Sequence, residues 1–118
     1  MTSVLVLEDE EVLRLLITAV LEDAGLEVIA LPSADEGLEF LERSASRIRI
    51  IVSDIQMPGH LDGYELCQMV SHRWPALPVV LTSGYSGKKL DLGPNIQFLP
   101  KPWSNEKLLG CVQEALSH

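Results

Sequence analysis

The chain is poor in aromatic residues, cysteine and positive charge, and each shortage excludes a class of function. Aromatics make up 5% of the 118 residues, too few for a stacking platform that binds single-stranded nucleic acid. Nine Lys and Arg against seventeen Asp and Glu leave a net charge of −8. The nearest approaches to a basic cluster, Arg47 with Arg49 and Lys88 with Lys89, are not interleaved with aromatics. Holding a phosphate backbone needs clustered cations, so no direct nucleic-acid contact is expected. The two cysteines, Cys67 and Cys111, lie in helix-like apolar patterns with no spacing suited to a metal, and are expected to be reduced core thiols. The histidines His60, His72 and His118 are scattered and expected on the surface. The opening residues 1–7 carry no basic leader, and Glu8 interrupts their apolar run far short of a membrane span. The expectation is a cytoplasmic protein with no membrane contact.

What is present is an ordinary globular composition, 47% hydrophobic and 22% charged. That fits one compact domain over residues 1–118, with no repeat, linker or second domain visible. Short apolar runs alternate with amphipathic stretches along the chain, the pattern of a doubly wound α/β sheet. Strands are predicted at residues 3–7, 27–31, 48–53, 79–82 and 96–99. The third carries the β-branched run Ile50-Ile51-Val52, as in a parallel sheet covered on both faces.

A helix over residues 11–24 places Val12, Leu15, Leu16, Ala19 and Val20 on one face and stops at Gly25. Ser33 begins a second helix, with Glu36 completing a capping box and Leu38 and Leu41 facing inward. A third runs over residues 64–72 and ends before Pro75. The stretch 86–94 holds Gly87, Gly93 and Pro94, so a fourth helix there is short and weak. Ser104 opens a last helix with Leu108, Leu109, Val112 and Leu116 buried and Lys107 in solvent.

The carboxyl ends of the strands carry the chemistry, because open α/β sheets bind ligands there. Glu8 and Asp9 close the first strand, Asp54 the third and Thr82 the fourth, and Lys101 follows the fifth. Crowded carboxylates repel: two unit charges ~4 Å apart cost about 4 kcal/mol at an effective dielectric near 20. A divalent cation relieves this, and Mg2+ (or Mn2+) is typically held by one or two carboxylates plus a phosphate. Lys101 then supplies a point charge, and Thr82 a hydroxyl donor, to the phosphate oxygens.

The acidic pair Glu8-Asp9, the run Asp54-Ile55-Gln56-Met57-Pro58 followed by Asp62-Gly63, then Thr82, then Lys101-Pro102, resemble in that order the receiver domain of bacterial two-component response regulators. The resemblance covers essentially the whole chain. It implies a flavodoxin-like (βα)5 fold with strand order 2-1-3-4-5. It also implies a phosphoacceptor switch, rather than an enzyme, that participates in its own phosphorylation and dephosphorylation.

Asp54 is similar to the aspartate that accepts a phosphoryl group from a histidine kinase or histidine phosphotransfer protein. Asp9 resembles the direct metal ligand, Glu8 the acid reaching the metal through water, and the Gln56 carbonyl a further ligand. Lys101 resembles the lysine that pairs with the aspartyl phosphate, through a cis Lys101-Pro102 bond. Thr82 resembles the switching hydroxyl, and Phe98 the aromatic whose burial reports the switch. Gln56 and Gly84 take the positions lining the water approach, which tune hydrolysis. The readout face for an unknown output protein is the fourth helix, fifth strand and last helix, with Trp103 a plausible contact; a monomer or weak dimer is expected.

The chain departs from the commonest pattern in one extra residue within Gly59-His60-Leu61, and in Thr82-Ser83-Gly84-Tyr85. These features resemble a subgroup of receivers found alone or attached to sensor kinases, with a mobile or shortened fourth helix and Tyr85 sharing the role of Phe98. Two other arrangements stay open: a receiver module cut from a longer kinase or transcription factor, and a pseudo-receiver or flavodoxin-like binding module acting without phosphorylation. An aspartyl-nucleophile phosphatase is disfavoured, because position 56 is Gln56 where such an enzyme needs a second aspartate as general acid.

Overall fold

The computed structural model describes residues 3–84 and 95–117. Five parallel strands, β1 (Ser3–Leu7), β2 (Glu27–Leu31), β3 (Ile50–Asp54), β4 (Val79–Ser83) and β5 (Ile96–Pro100), form one sheet in the order β2-β1-β3-β4-β5. Four helices, α1 (Glu11–Asp23), α2 (Ala34–Ser44), α3 (Gly63–Arg73) and α4 (Asn105–Leu116), cover it among the described residues. The weak helix expected over 86–94, and Tyr85, lie outside the described residues.

Alternation along the strands divides the interior in two. Leu5, Leu7, Ile51, Val79 and Leu81 face α2 and α3, with Leu41, Leu66, Cys67 and Val70 packed on them. Val4, Val6, Ile50, Val52 and Val80 face α1 and α4, against Ile17, Leu21, Leu108 and Val112. The three central strands are buried on both sides, which is why their sequences read as unbroken apolar runs.

Several boundaries differ from the sequence reading. β3 begins at Ile50 rather than 48, because Ala45–Arg47 form a 3-10 turn and the Ile48 N–H donates to the Ala45 carbonyl. Asp54 is thereby the last residue of β3. The apolar face proposed for α1 is the wrong one: Val12 is 74% exposed, Leu15 60% and Leu16 48%, and Ala19 is exposed too, with Val20 half-buried. The core is met instead by Ile17 and Leu21, with Leu13 and Val20 packed beside them. Apolar residues occupy both phases of this helix, so periodicity alone does not choose between them. Its end does match: Gly25 has φ +88°, and the Gly25 and Leu26 N–H groups return to the carbonyls of Glu22 and Leu21, a Schellman motif.

Ser33 caps α2 by accepting from the Glu36 N–H, but the Glu36 carboxylate takes the Ser33 hydroxyl instead of a backbone N–H, so that box is half formed. The complete capping box lies at the start of α3, between Asp62 and Glu65. Among the described residues no helix is long and apolar enough to cross a membrane.

Candidate functional site

The sheet register brings the expected residues to one edge. Asp54 lies directly opposite Thr82 across β3 and β4, and Ser83 opposite Pro100 across β4 and β5. The ladder continues one step past the strands: the Ile55 N–H donates to the Thr82 carbonyl (3.0 Å) and the Lys101 N–H to the Ser83 carbonyl (2.8 Å). Lys101 is thus fixed by backbone bonds before its side chain does anything. The Lys101–Pro102 peptide is cis.

On the other side of Asp54, the Glu8 N–H donates to the Leu31 carbonyl (3.1 Å), and the Arg14 guanidinium from the first turn of α1 donates to the Glu8 carbonyl (2.9 Å). Glu8 is 1% exposed and Asp54 7%, while Asp9 is exposed. One carboxylate oxygen from each of Glu8, Asp9 and Asp54 lies within 4.8 Å of the others.

Lys101 reaches into this cluster, its ammonium 2.6 Å from Asp54 Oδ2 and 3.6 Å from Glu8 Oε1. Loss of hydration alone lowers the lysine's pKa, but the hydrogen bond and charge of Asp54, then the charge of Glu8, outweigh it and hold the ammonium above its ordinary 10.5. The other Asp54 oxygen accepts the Gln56 N–H at 3.3 Å. Glu8 is less well served. Oε2 accepts the Glu10 N–H (3.0 Å), but Oε1 is buried with no hydrogen-bond partner. Burial first, with help from the charge of Asp54 and against the Glu10 hydrogen bond and Lys101, pushes its pKa from 4.5 to about 7.

A buried, under-coordinated carboxylate oxygen next to two more carboxylates fits a hard divalent cation with oxygen ligands. The donor set suits magnesium and offers nothing to a thiophilic metal.

The remaining expected residues fall around this cluster. Thr82 is buried at the edge beside Asp54. Phe98 on β5 is 37% exposed, an outward position rather than a buried one. The Gln56 side chain is exposed, and Gly84 has open space where a side chain would be. Trp103 is half-buried, its ring 5.9 Å from the Lys101 ammonium. Cys67 is buried, which pushes its thiol up to about 11; Cys111 is only partly buried, and both are free.

Three residues contribute in ways the sequence did not indicate. Arg14 fixes the Glu8 backbone. Asp35, in the first turn of α2, accepts the N–H groups of His60 (2.9 Å) and Leu61 (3.1 Å) and so holds the lengthened loop after Asp54. Gly63 packs so closely that a Cβ there would collide with the Asp54 carbonyl oxygen, and its N–H donates to the Ile55 carbonyl at 2.8 Å. Only Gly63 left a sequence signal, as part of the Asp62-Gly63 pair.

The family model of the response regulator receiver domain matches residues 4–113. The sensor kinase CckA of Brucella abortus is 32% identical over 97% of this chain, which spans 12% of that protein. The DNA-binding transcriptional regulator NtrC of Escherichia coli is 32% identical over 96% of this chain and 24% of its own length. The chain therefore spans between about an eighth and a quarter of these curated relatives. The crystal structure of the signal receiver domain of a histidine kinase from Syntrophus aciditrophicus superimposes with a TM-score of 0.89 at 27% identity, covering 99% of this chain and 91% of that one. With the strand order, the acidic edge and the family match in agreement, the chain belongs to the receiver domain family of two-component response regulators.

Proposed function

We propose that this domain accepts a phosphoryl group on Asp54 from the phosphohistidine of a histidine kinase or phosphotransfer protein, and that the modified site alters a protein-binding surface read by an output partner. The observation that carries this reading is the convergence of Glu8, Asp9 and Asp54 within 4.8 Å, with the Lys101 ammonium 2.6 Å from Asp54. In the transfer, an Asp54 carboxylate oxygen bonds to phosphorus as the bond from phosphorus to the imidazole nitrogen breaks, and the imidazole keeps that electron pair. Glu8, Asp9, Asp54 and the Gln56 carbonyl would hold Mg2+, which supplies charge neutralisation for the phosphoryl oxygens.

The protein's own groups do the rest. Lys101 exchanges its bond to Asp54 for one to a phosphoryl oxygen, and Thr82 supplies a hydroxyl from the adjacent strand end. A phosphoryl group adds about −1.5 to −2 charge and three acceptor oxygens, so those contacts exist only in the modified form. Phe98, exposed on β5, is the aromatic placed to move inward with Thr82. Gln56 beside Asp54 and the open side of Gly84 govern how water reaches the phosphoryl group.

The domain acts as a switch that takes part in its own phosphorylation and dephosphorylation, in the cytoplasm, without touching nucleic acid itself. The exposed stripe of Val12, Leu15 and Leu16 on α1, continuous with Pro102 and Trp103 at the Lys101 edge, gives the phosphoryl donor an apolar surface to dock on.

Incubation with Mg2+ and acetyl phosphate, followed by intact mass, tests the acceptor. The expected result is one added phosphoryl group, lost on chelation and absent in Asp54→Asn. Equal labelling of Asp54→Asn would place the acceptor elsewhere.

A further inference from the structure

The amino edge of the sheet, opposite the acidic site, carries a second built surface. An open groove of about 480 Å³ lies between the turn before β3 and the segment joining α3 to β4, walled by Ala45, Ile48, Trp74, Pro75 and Leu77 with Arg49 at its rim. Its size is that of ligand-binding clefts. Arg49 lines it, and Arg47 and Arg73 are the chain neighbours of its lining residues Ser46, Ile48 and Trp74, on a molecule whose net charge is −8.

Arg43 pairs with Glu39 at 3.4 Å and Arg73 with Glu42 at 3.0 Å. Arg47 and Arg49 are exposed, and among the described residues neither has an ion-pair partner. The guanidiniums of Arg73 and Arg47 lie over aromatic rings, Trp74 at 4.6 Å and Phe40 at 5.8 Å, which presents their N–H edges outward.

We propose that this groove docks an acidic, extended peptide segment of a partner protein that carries at least one large apolar side chain. Charge chooses the occupant. A basic segment would be drawn to the opposite edge, where Glu8, Asp9, Glu10, Glu11 and Asp54 lie. An acidic one is repelled by most of the surface and attracted here, where two unpaired guanidiniums offer bidentate sites for carboxylates. The apolar walls require the side chain: a purely ionic ligand would leave Trp74, Pro75 and Leu77 in contact with water. The site is independent of Asp54 chemistry and gives the domain a second contact at the far end of the sheet from the phosphoacceptor.

The chain has two tryptophans, so Trp103→Phe leaves Trp74 as the sole reporter. This protein is titrated with the blocked peptide Asp-Asp-Leu-Asp-Phe-Asp-Asp, with its counterpart bearing Lys for Asp, and with one bearing Gly for Leu and Phe. The expected result is a saturable, salt-weakened change in Trp74 emission with the first peptide only. Affinity should fall by about tenfold in Arg47→Glu/Arg49→Glu, since two exposed ion pairs become repulsions, while the urea midpoint stays unchanged. No saturable response, equal binding of the Lys peptide, or undiminished affinity in the double reversal would overturn the proposal. Equal binding of the Gly peptide would overturn the apolar anchor. Sedimentation showing self-association that the double reversal abolishes would overturn it in favour of a second copy as the occupant.

Discussion

Replacing Glu8 by Gln should flatten the pH dependence of stability in the absence of divalent cations. Glu8 is 1% exposed with no hydrogen bond to Oε1, and its pKa in the fold is about 7 against an ordinary 4.5. Between those two values the folded state holds a proton that the unfolded chain has released. Stability rises with pH only where the unfolded state binds more protons, so here it must fall as pH rises from about 4.5 and level off above about 7. At 1.36 kcal/mol per pH unit the full fall is about 3 kcal/mol. The amide introduced by Glu8→Gln would keep an oxygen for the Glu10 N–H and would not ionise.

Urea unfolding at pH 5, 6, 7 and 8 in EDTA, for the wild type and Glu8→Gln, isolates this effect, because every other titrating group is common to both. The difference between the curves should change by about 3 kcal/mol across the window, with the variant gaining on the wild type toward pH 8. Adding Mg2+ at pH 8 should then stabilise the wild type more than the variant, by mass action. A difference that does not change with pH would refute the claim that burial of this carboxylate opposes its ionisation.

Gly63→Ala should destabilise by about 1–3 kcal/mol and depress labelling by acetyl phosphate, because the new methyl meets the Asp54 carbonyl; a wild-type urea midpoint would contradict the close approach. Lys101→Ala should lower stability in EDTA by about 1–3 kcal/mol, less than for a fully buried pair because the lysine side chain is 25% exposed. Labelling should persist while the Trp103 emission change is lost, and a retained change would show that another cation couples the site. Leu15→Glu should leave the free energy of unfolding within about 0.5 kcal/mol and leave labelling by acetyl phosphate intact, while slowing transfer from a phosphorylated histidine kinase. Undiminished transfer would take the α1 stripe out of donor docking.

The fold and the central cluster were legible for one reason: parallel strands buried on both faces announce themselves, and the residues just past them must share an edge. Once 48–53 and 79–82 read as strands, Asp54 and Thr82 had to lie level, and the register shows them as direct partners. Features that depend on which of two local patterns wins were less accessible. α1 is apolar in two phases, and the loop entering it, pinned by Arg14 to the Glu8 carbonyl, turns Ile17 and Leu21 inward and leaves Val12 and Leu15 outside. Ser33 and Asp62 each precede a Glu by three positions, yet only Asp62 completes the reciprocal box. Contacts across long sequence separations left no local trace. Asp35 holds residues 25 and 26 positions away, and nothing in its own neighbourhood distinguishes it from an ordinary first-turn acid that favours the helix dipole.

The arrangement at Glu8 also explains why an acidic edge can be a switch instead of a defect. In the central strands β1, β3 and β4 and at the start of α3, local preference and tertiary packing agree: the apolar strands are buried, the helix is capped, and the N–H groups of the loop before it find a carboxylate. At the carboxyl edge they conflict, since a buried oxygen lacks a donor and one lysine serves two carboxylates. Such a conflict raises the energy of the metal-free fold, and by linkage whatever relieves it binds more tightly for that reason. Removing a carboxylate should therefore move two observables in opposite directions, metal-free stability upward and divalent-ion affinity downward. A site that merely tolerated surface acids would show no such opposition, because exposed carboxylates contribute little to either quantity.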